Sequence, residues 1–224
     1  MRFPILLLTA MLGPWLALGA GQPPTQPVPA AARLRAGARV PLAPPLVVGG
    51  GEVVLDVTVD TSGAVVKVEP VRATPPYTEL LVSAVKGWSF DAATAAVKGV
   101  LQPAEGHVLV VAMFRPPQVY AAPALGAPTA SVGSLSPELP QPGGLSMPAA
   151  YPPRAVRDGT VLVEIALTAA AVARDHKVLS PASAFDAAAV ETVKGWRFGF
   201  PPKPAGAEQL FVYAVVGFRE PITQ

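Results

Sequence analysis

"VKGWSF" at residues 85–90 and "VKGWRF" at residues 193–198 are one hexapeptide written twice with a single change. The chain holds three tryptophans, and two of them, Trp88 and Trp196, sit in these copies. Reading outward from each copy separates coincidence from duplication. Gly51 to Trp88 and Gly159 to Trp196 span equal lengths at a constant offset of 108 (159 − 51 = 196 − 88). Each glycine opens an alternating run. The first sets Val53, Leu55, Val57 and Val59 against Glu52, Asp56 and Thr58; the second sets Val161, Val163, Ile165 and Leu167 against Thr160, Glu164 and Thr168. Alternation of period two predicts a half-buried strand of an antiparallel sheet.

Both blocks continue in step. "DTSGA" (60–64) supplies a hairpin turn, with Gly63 able to take positive φ. A second strand follows over Val65 to Val71, matched by Ala173 to Leu179. The period then lengthens. Tyr77, Leu81, Val85 and Trp88, and likewise Phe185, Ala189, Val193 and Trp196, recur about one helical turn apart, and Ser183 with Asp186 reads as a capping box. Each block closes on an apolar run ending Phe-Arg, "HVLVVAMFR" (107–115) and "LFVYAVVGFR" (210–219). The closing offset is 104 (218 − 114), so the first block has a loop longer by four residues (108 − 104). Shared order and spacing predict an α+β chain of two small β-β-α-β modules, each a three-stranded antiparallel sheet packed on one helix.

The 51% hydrophobic and 14% charged composition excludes disorder along the whole chain, while 28 prolines and 20 glycines predict compact blocks parted by extended segments. A formal charge of +2, with Lys and Arg scattered singly, gives no footprint for nucleic acid. There is no cysteine, hence no disulfide, thiolate metal site or Cys nucleophile. At the N-terminus an apolar run from Ile5 to Leu18 follows Arg2 and meets the small residues Ala17-Leu18-Gly19, which read as an export signal. The predicted organisation is a signal peptide or N-terminal anchor over 1–20, a Pro/Ala-rich tether over 21–46, a first domain over 47–117, a Pro-rich linker over 118–150 and a second domain over 151–224. Both tethers are expected to be extended and solvated.

The second block resembles the C-terminal domain of TonB-type energy transducers. The residues that carry the resemblance are Tyr151-Pro152, Gly159, the strand Val161 to Leu167, Phe185-Asp186, Ala188-Ala189, Trp196-Arg197-Phe198, Pro201-Pro202 and the strand Leu210 to Phe218. It departs from the family in its hairpin, "TAAAVARDH", which lacks an Asp-Gly turn. The first block keeps the turn, lacks the Tyr-Pro pair, and has Ser89 where the second has Arg197. The N-terminal segment has no histidine, and the tethers lack the charge of the family's linker. The resemblance implies a periplasmic protein of the cell envelope that binds partner proteins, and in the family the last strand receives a segment from the plug of an outer-membrane transporter. Energy transduction to TonB-dependent receptors is one implied role. A soluble periplasmic scaffold without energy coupling is the alternative, as is anchorage in the inner membrane facing the periplasm.

Catalysis finds little footing. Ser83-Ala84-Val85-Lys86 spells Ser-x-x-Lys, but it lies mid-helix and its counterpart reads Glu191-Thr192-Val193-Lys194. His107 and His176 stand in different blocks without ligand spacing, Asp56 and Glu164 read as solvated outer-face carboxylates, and "GGGE" (49–52) has no Lys-Ser/Thr behind it. No enzyme activity, metal or cofactor is expected. Trp88 and Trp196 read as core anchors, and Arg197 and Arg219 as solvated charges. What remains is binding at sheet edges, whose unpaired backbone groups accept a strand. The expected partner-binding residues are Leu210, Val212, Tyr213, Val215 and Phe218 on the last strand, with Tyr151, Pro152, Arg154 and Arg197 near the approach; pairing of the two modules through the same strands is the competing use.

Overall fold

The computed structural model describes residues 28–35, 38–44, 47, 49–117, 129–148, 150–203 and 206–222. The expected signal or anchor over 1–20 lies outside the described residues. The chain is α+β, mostly strands with two helices. In chain order the elements are β1 (Arg33–Leu34), β2 (Gly51–Val59), β3 (Val65–Ala73), α1 (Tyr77–Val85), β4 (Phe90–Asp91), β5 (Ala93–Val97), β6 (Val100–Ala104) and β7 (Gly106–Phe114). There follow β8 (Ala130–Ser131), β9 (Gln141–Gly144), β10 (Gly159–Thr168), β11 (Ala173–Ser180), α2 (Asp186–Lys194), β12 (Arg197–Gly199) and β13 (Gln209–Phe218).

The two blocks do not form separate three-stranded sheets. One seven-stranded sheet runs through both in the order β11-β10-β13-β7-β2-β3-β8. β13 lies antiparallel to β10 over ten positions, Gly159↔Phe218 to Thr168↔Gln209, and parallel to β7 from Val212↔Leu109 to Gly217↔Phe114. The last strand expected at an edge is therefore central. The reason is legible in its composition: "LFVYAVVGF" is apolar without alternation, the signature of a strand buried on both faces.

Joining the blocks through a parallel pair puts their helices on opposite faces. On one face Val53, Leu55, Val57 and Val59 pack with Tyr77, Leu81 and Val85 of α1, and Leu162, Tyr213 and Val215 from the second block join them. On the other, Val161, Val163, Ile165 and Leu167 pack with Phe185, Ala189 and Val193 of α2, joined by Val54, Leu109, Val111 and Met113 from the first. Each core thus draws on both blocks. Trp88 and Trp196 are buried in the two cores.

The opening glycines are steric. A Cβ on Gly51 would strike the Tyr77 ring, and one on Gly159 the Phe185 ring. Those rings in turn stack on Phe114 (4.5 Å) and Phe218 (5.2 Å), the ends of the two closing strands. The capping box is corrected: Asp186 Oδ1 accepts from the Ala182 N–H, as Thr78 Oγ1 accepts from the Thr74 N–H at α1.

The proline-rich segments are corrected too. Residues 28–44 and 129–148, where described, are straps laid on the sheet. β1 pairs β4 with Leu34 opposite Phe90, and β9 pairs β12 with Pro142 opposite Phe198, both partners 108 positions on. Trp88 Nε1 donates to Arg39 O at 2.8 Å and Trp196 Nε1 to Ser146 O at 3.0 Å. The closing arginines cross over. Arg115 Nη1 donates to Pro148 O at 2.7 Å, whereas Arg219 Nη1 donates to Pro44 O at 2.9 Å and Val47 O at 2.7 Å. Each block thus holds the strap that leads into the other. Arg219, expected as a solvated charge, is buried and also pairs with Asp158 at 2.9 Å.

Candidate functional site

Two buried carboxylates sit at matching points of the central strands, contrary to their expected solvation: Asp56 and Glu164 are each 3% exposed. Each fastens a strap. Glu164 accepts from Arg33 Nη2 at 2.6 Å and Arg33 Nε at 3.1 Å, and from the Tyr213 hydroxyl at 3.3 Å. The Tyr213 oxygen accepts the Leu34 N–H at 2.7 Å, so a buried chain of bonds locks β1 to the sheet. Burial, with the Glu164 charge adding to it, pushes the Tyr213 phenol far above its ordinary range, keeping it a neutral donor.

At the other node Asp56 Oδ1 lies 2.8 Å from His107 Nδ1 and Asp56 Oδ2 accepts the Ser136 N–H at 2.8 Å, while Ser136 Oγ lies 3.0 Å from the same Nδ1. The Asp56 bond raises the His107 pKa against the pull of burial. For Asp56, burial acts upward and is the largest single influence, but hydrogen bonds from His107 and Ser136 together leave the carboxyl below its ordinary value. Ser, His and Asp in contact invite a catalytic reading, and the geometry opposes it. A nucleophile and an orienting carboxylate must take opposite ring nitrogens, whereas here both meet Nδ1. The cluster is a fastening for the strap.

The predicted partner-binding residues divide into two sets. Leu210, Val212, Tyr213, Val215 and Phe218 are buried in β13, which is paired on both sides, and offer no landing edge. Arg197 is exposed and turns Nη1 onto the Lys194 and Trp196 carbonyls at 2.9 Å, closing α2 rather than facing a partner. Tyr151, Pro152 and Arg154 lie together beside a cleft of about 500 Å³ at the start of α2, whose lining includes Arg154, Val156, Arg157, Thr160 and Phe185. Tyr151 holds the approach: its ring meets Phe185 edge-on at 5.7 Å and its hydroxyl donates to Arg157 O at 2.8 Å. Thr160 Oγ1 is buried there without a hydrogen-bond partner.

The same cleft is bounded by Ala182, Ser183 and Ala184, which follow β11 after Pro181. Among the described residues β11 is an edge strand of the sheet. It pairs with β10 alone, from Leu162↔Ser180 to Leu167↔Ala173, whereas the other edge ends in the two-residue β8, which covers β3 at Arg72 and Ala73. The edge is guarded by its own sequence. Asp175 Oδ1 accepts the His176 N–H at 2.8 Å, so this amide faces away from β10, and Arg174, Asp175 and Lys177 are exposed. His176 Nε2 is buried without a partner, and burial lowers its pKa. The sequence placed this strand over Ala173 to Leu179 but not at the edge of a sheet shared by both blocks; its charges are themselves the mark of an edge. Among the described residues no group of three or more His, Cys, Asp or Glu could hold a metal ion, and no helix is long and apolar enough to cross a membrane.

Comparison with protein-family models, curated proteins and solved structures returns no significant match.

Proposed function

We propose that the chain is a tandem pair of TonB C-terminal-like β-β-α-β units, fused through their closing strands, and that it serves the cell envelope as a non-enzymatic interaction protein in the periplasm. A partner segment adds as a strand to β11, with its end directed toward the cleft beside Arg154 and Arg157. The observation that carries this reading is the position of β11, paired with β10 alone among the described strands and leading into the wall of the cleft at Ala182 to Ala184. Main-chain groups supply affinity in such an addition, and the two exposed arginines favour an acidic or carboxylate-ended segment.

The alternative of a scaffold without energy coupling gains over transduction for a specific reason. The strand with which the family receives transporter segments is occupied here by β7. The test is a photo-crosslinking residue at Arg174 in the full chain, in the envelope of its own host. An adduct is expected that disappears with His176→Pro and persists with His176→Ala, since proline removes the outward N–H and alanine keeps it. An adduct indifferent to both changes would overturn strand addition at this edge.

A further inference from the structure

β5 and β6 form a finger that stands apart from the main sheet. Among the described strands they pair only with each other, from Ala93↔Ala104 to Val97↔Val100. Lys98 and Gly99 both take positive φ (51° and 78°), the tight hairpin turn whose twist suits two strands. Residues 96–103 are exposed throughout, including Val97 (44%), Val100 (60%) and Leu101 (40%). Lys98 is the single charge between Asp91 and Glu105. The finger accounts for the longer loop of the first block, and the corresponding stretch before β13 has no strand among its described residues. An isolated two-stranded hairpin is marginal in water, and an exposed apolar tip marks a contact surface.

The path of the first strap indicates what that surface meets. Leu34 lies opposite Phe90 and Arg33 opposite Asp91. Three residues back toward the N-terminus, Thr94 N donates to Ala30 O and Ala30 N to Thr94 Oγ1, both at 2.9 Å. Followed backward, the chain therefore advances along β5 toward the tip, and Val28, where the described structure starts, is 42% exposed. The apolar run Ile5 to Leu18 ends ten residues earlier (28 − 18). Ten residues span up to about 35 Å, and the tip lies roughly 13 Å beyond Thr94, so one surface can take both.

We propose that the β5–β6 tip is a membrane-contact finger that seats on the phospholipid bilayer met by the apolar N-terminal run. Val97, Val100 and Leu101 enter the boundary between headgroups and acyl chains, and Lys98 pairs with lipid phosphate. This rests on the anchor reading of residues 1–20, in which Ile5 to Leu18 is retained, and is independent of strand addition at β11.

Because the chain has no cysteine, one can be placed at will. In the full chain, Val100→Cys and Val132→Cys each carry an environment-sensitive fluorophore. Val132 is 57% exposed and donates its N–H to Val71 O, at the opposite end of the sheet. Vesicles of phosphatidylcholine and phosphatidylglycerol with brominated acyl chains are expected to quench the label at 100 and to leave the label at 132 unchanged. Adding Val97→Ser and Leu101→Ser should remove the quenching without altering far-UV circular dichroism. Equal quenching at the two sites, or none at either, would overturn the proposal. So would burial of the label at 100 that grows with protein concentration in the absence of vesicles, which would assign the finger to a second copy of the chain.

Discussion

Gly63 (φ 87°) and Ala171 (φ 56°) occupy the same place in the two hairpin turns, 108 positions apart. The first turn is held by Asp60 Oδ1, which accepts the Ser62 and Ala64 N–H groups; the second by Thr168 Oγ1, which accepts from Val172. The missing Asp-Gly was therefore replaced, not relocated, and Ala171 bears the strain of a left-handed backbone. Ala171→Gly is expected to stabilise the protein by about 1 kcal/mol or less, since the αL penalty of an L-residue is partly offset by glycine's greater chain entropy; urea denaturation reads it, and a destabilisation would show that the Ala171 methyl matters more in the core. His107 gives a pH-dependent counterpart. Its pKa is raised on folding from 6.5, so its contribution is complete below that value and lost as pH rises through the folded one. Asp56, lowered from 3.8, contributes above that value and loses it as pH falls through its folded one. The strap over 129–140 should therefore be held best at mildly acidic pH. Calorimetry across pH 5 to 9 is expected to show the wild-type Tm falling relative to His107→Gln on the alkaline side, with parallel profiles counting against the node (about one unit around the ordinary His range sets the window).

At the scale of the element, most strands were legible and their partners were not. Alternation placed β2 and β10 within a residue or two, because one face of each meets a helix and the turn fixes the register. β13 shows the limit. Its apolar run was legible, but a run buried on both faces states only that it has neighbours, and the second neighbour, β7, lies roughly a hundred positions away in the chain. The straps were misread for a related reason: proline disfavours regular ladders, yet a two- to four-residue ladder with one hydrogen-bonded tryptophan suffices to lay an extended segment down. The β11 edge yields a prediction of its own. Asp175 occupies an outward amide, so Asp175→Ala should free it and increase strand addition. Self-association by β11 pairing, measured by sedimentation velocity, is expected to rise in this variant and to fall back when His176→Pro is added; Asp175→Ala behaving as wild type would mean the guard is ornamental.

For the whole molecule, the repeated pattern was visible in sequence but the way its two halves join was not. Two copies of an incomplete unit could stand apart on a tether, and composition favoured that arrangement. Burial decides otherwise. Leu162, Tyr213 and Val215 complete the core under α1, and Val54, Leu109 and Val111 complete the one under α2. The buried bonds of each strap cross between blocks as well, Arg33 reaching Glu164 and Ser136 reaching Asp56. Neither block can withdraw without breaking these bonds and exposing the apolar surface that the two share. Unfolding should accordingly be one cooperative event. Urea titration followed by tryptophan fluorescence and by far-UV circular dichroism is expected to give coincident midpoints, although Trp88 and Trp196 report from opposite faces. A protease site engineered within 118–128 should, once cut, leave two fragments that co-elute under native conditions and part only in denaturant. Fragments that separate while each keeps its fold would show that the blocks are independent domains, and the continuous sheet would then not be the unit of stability.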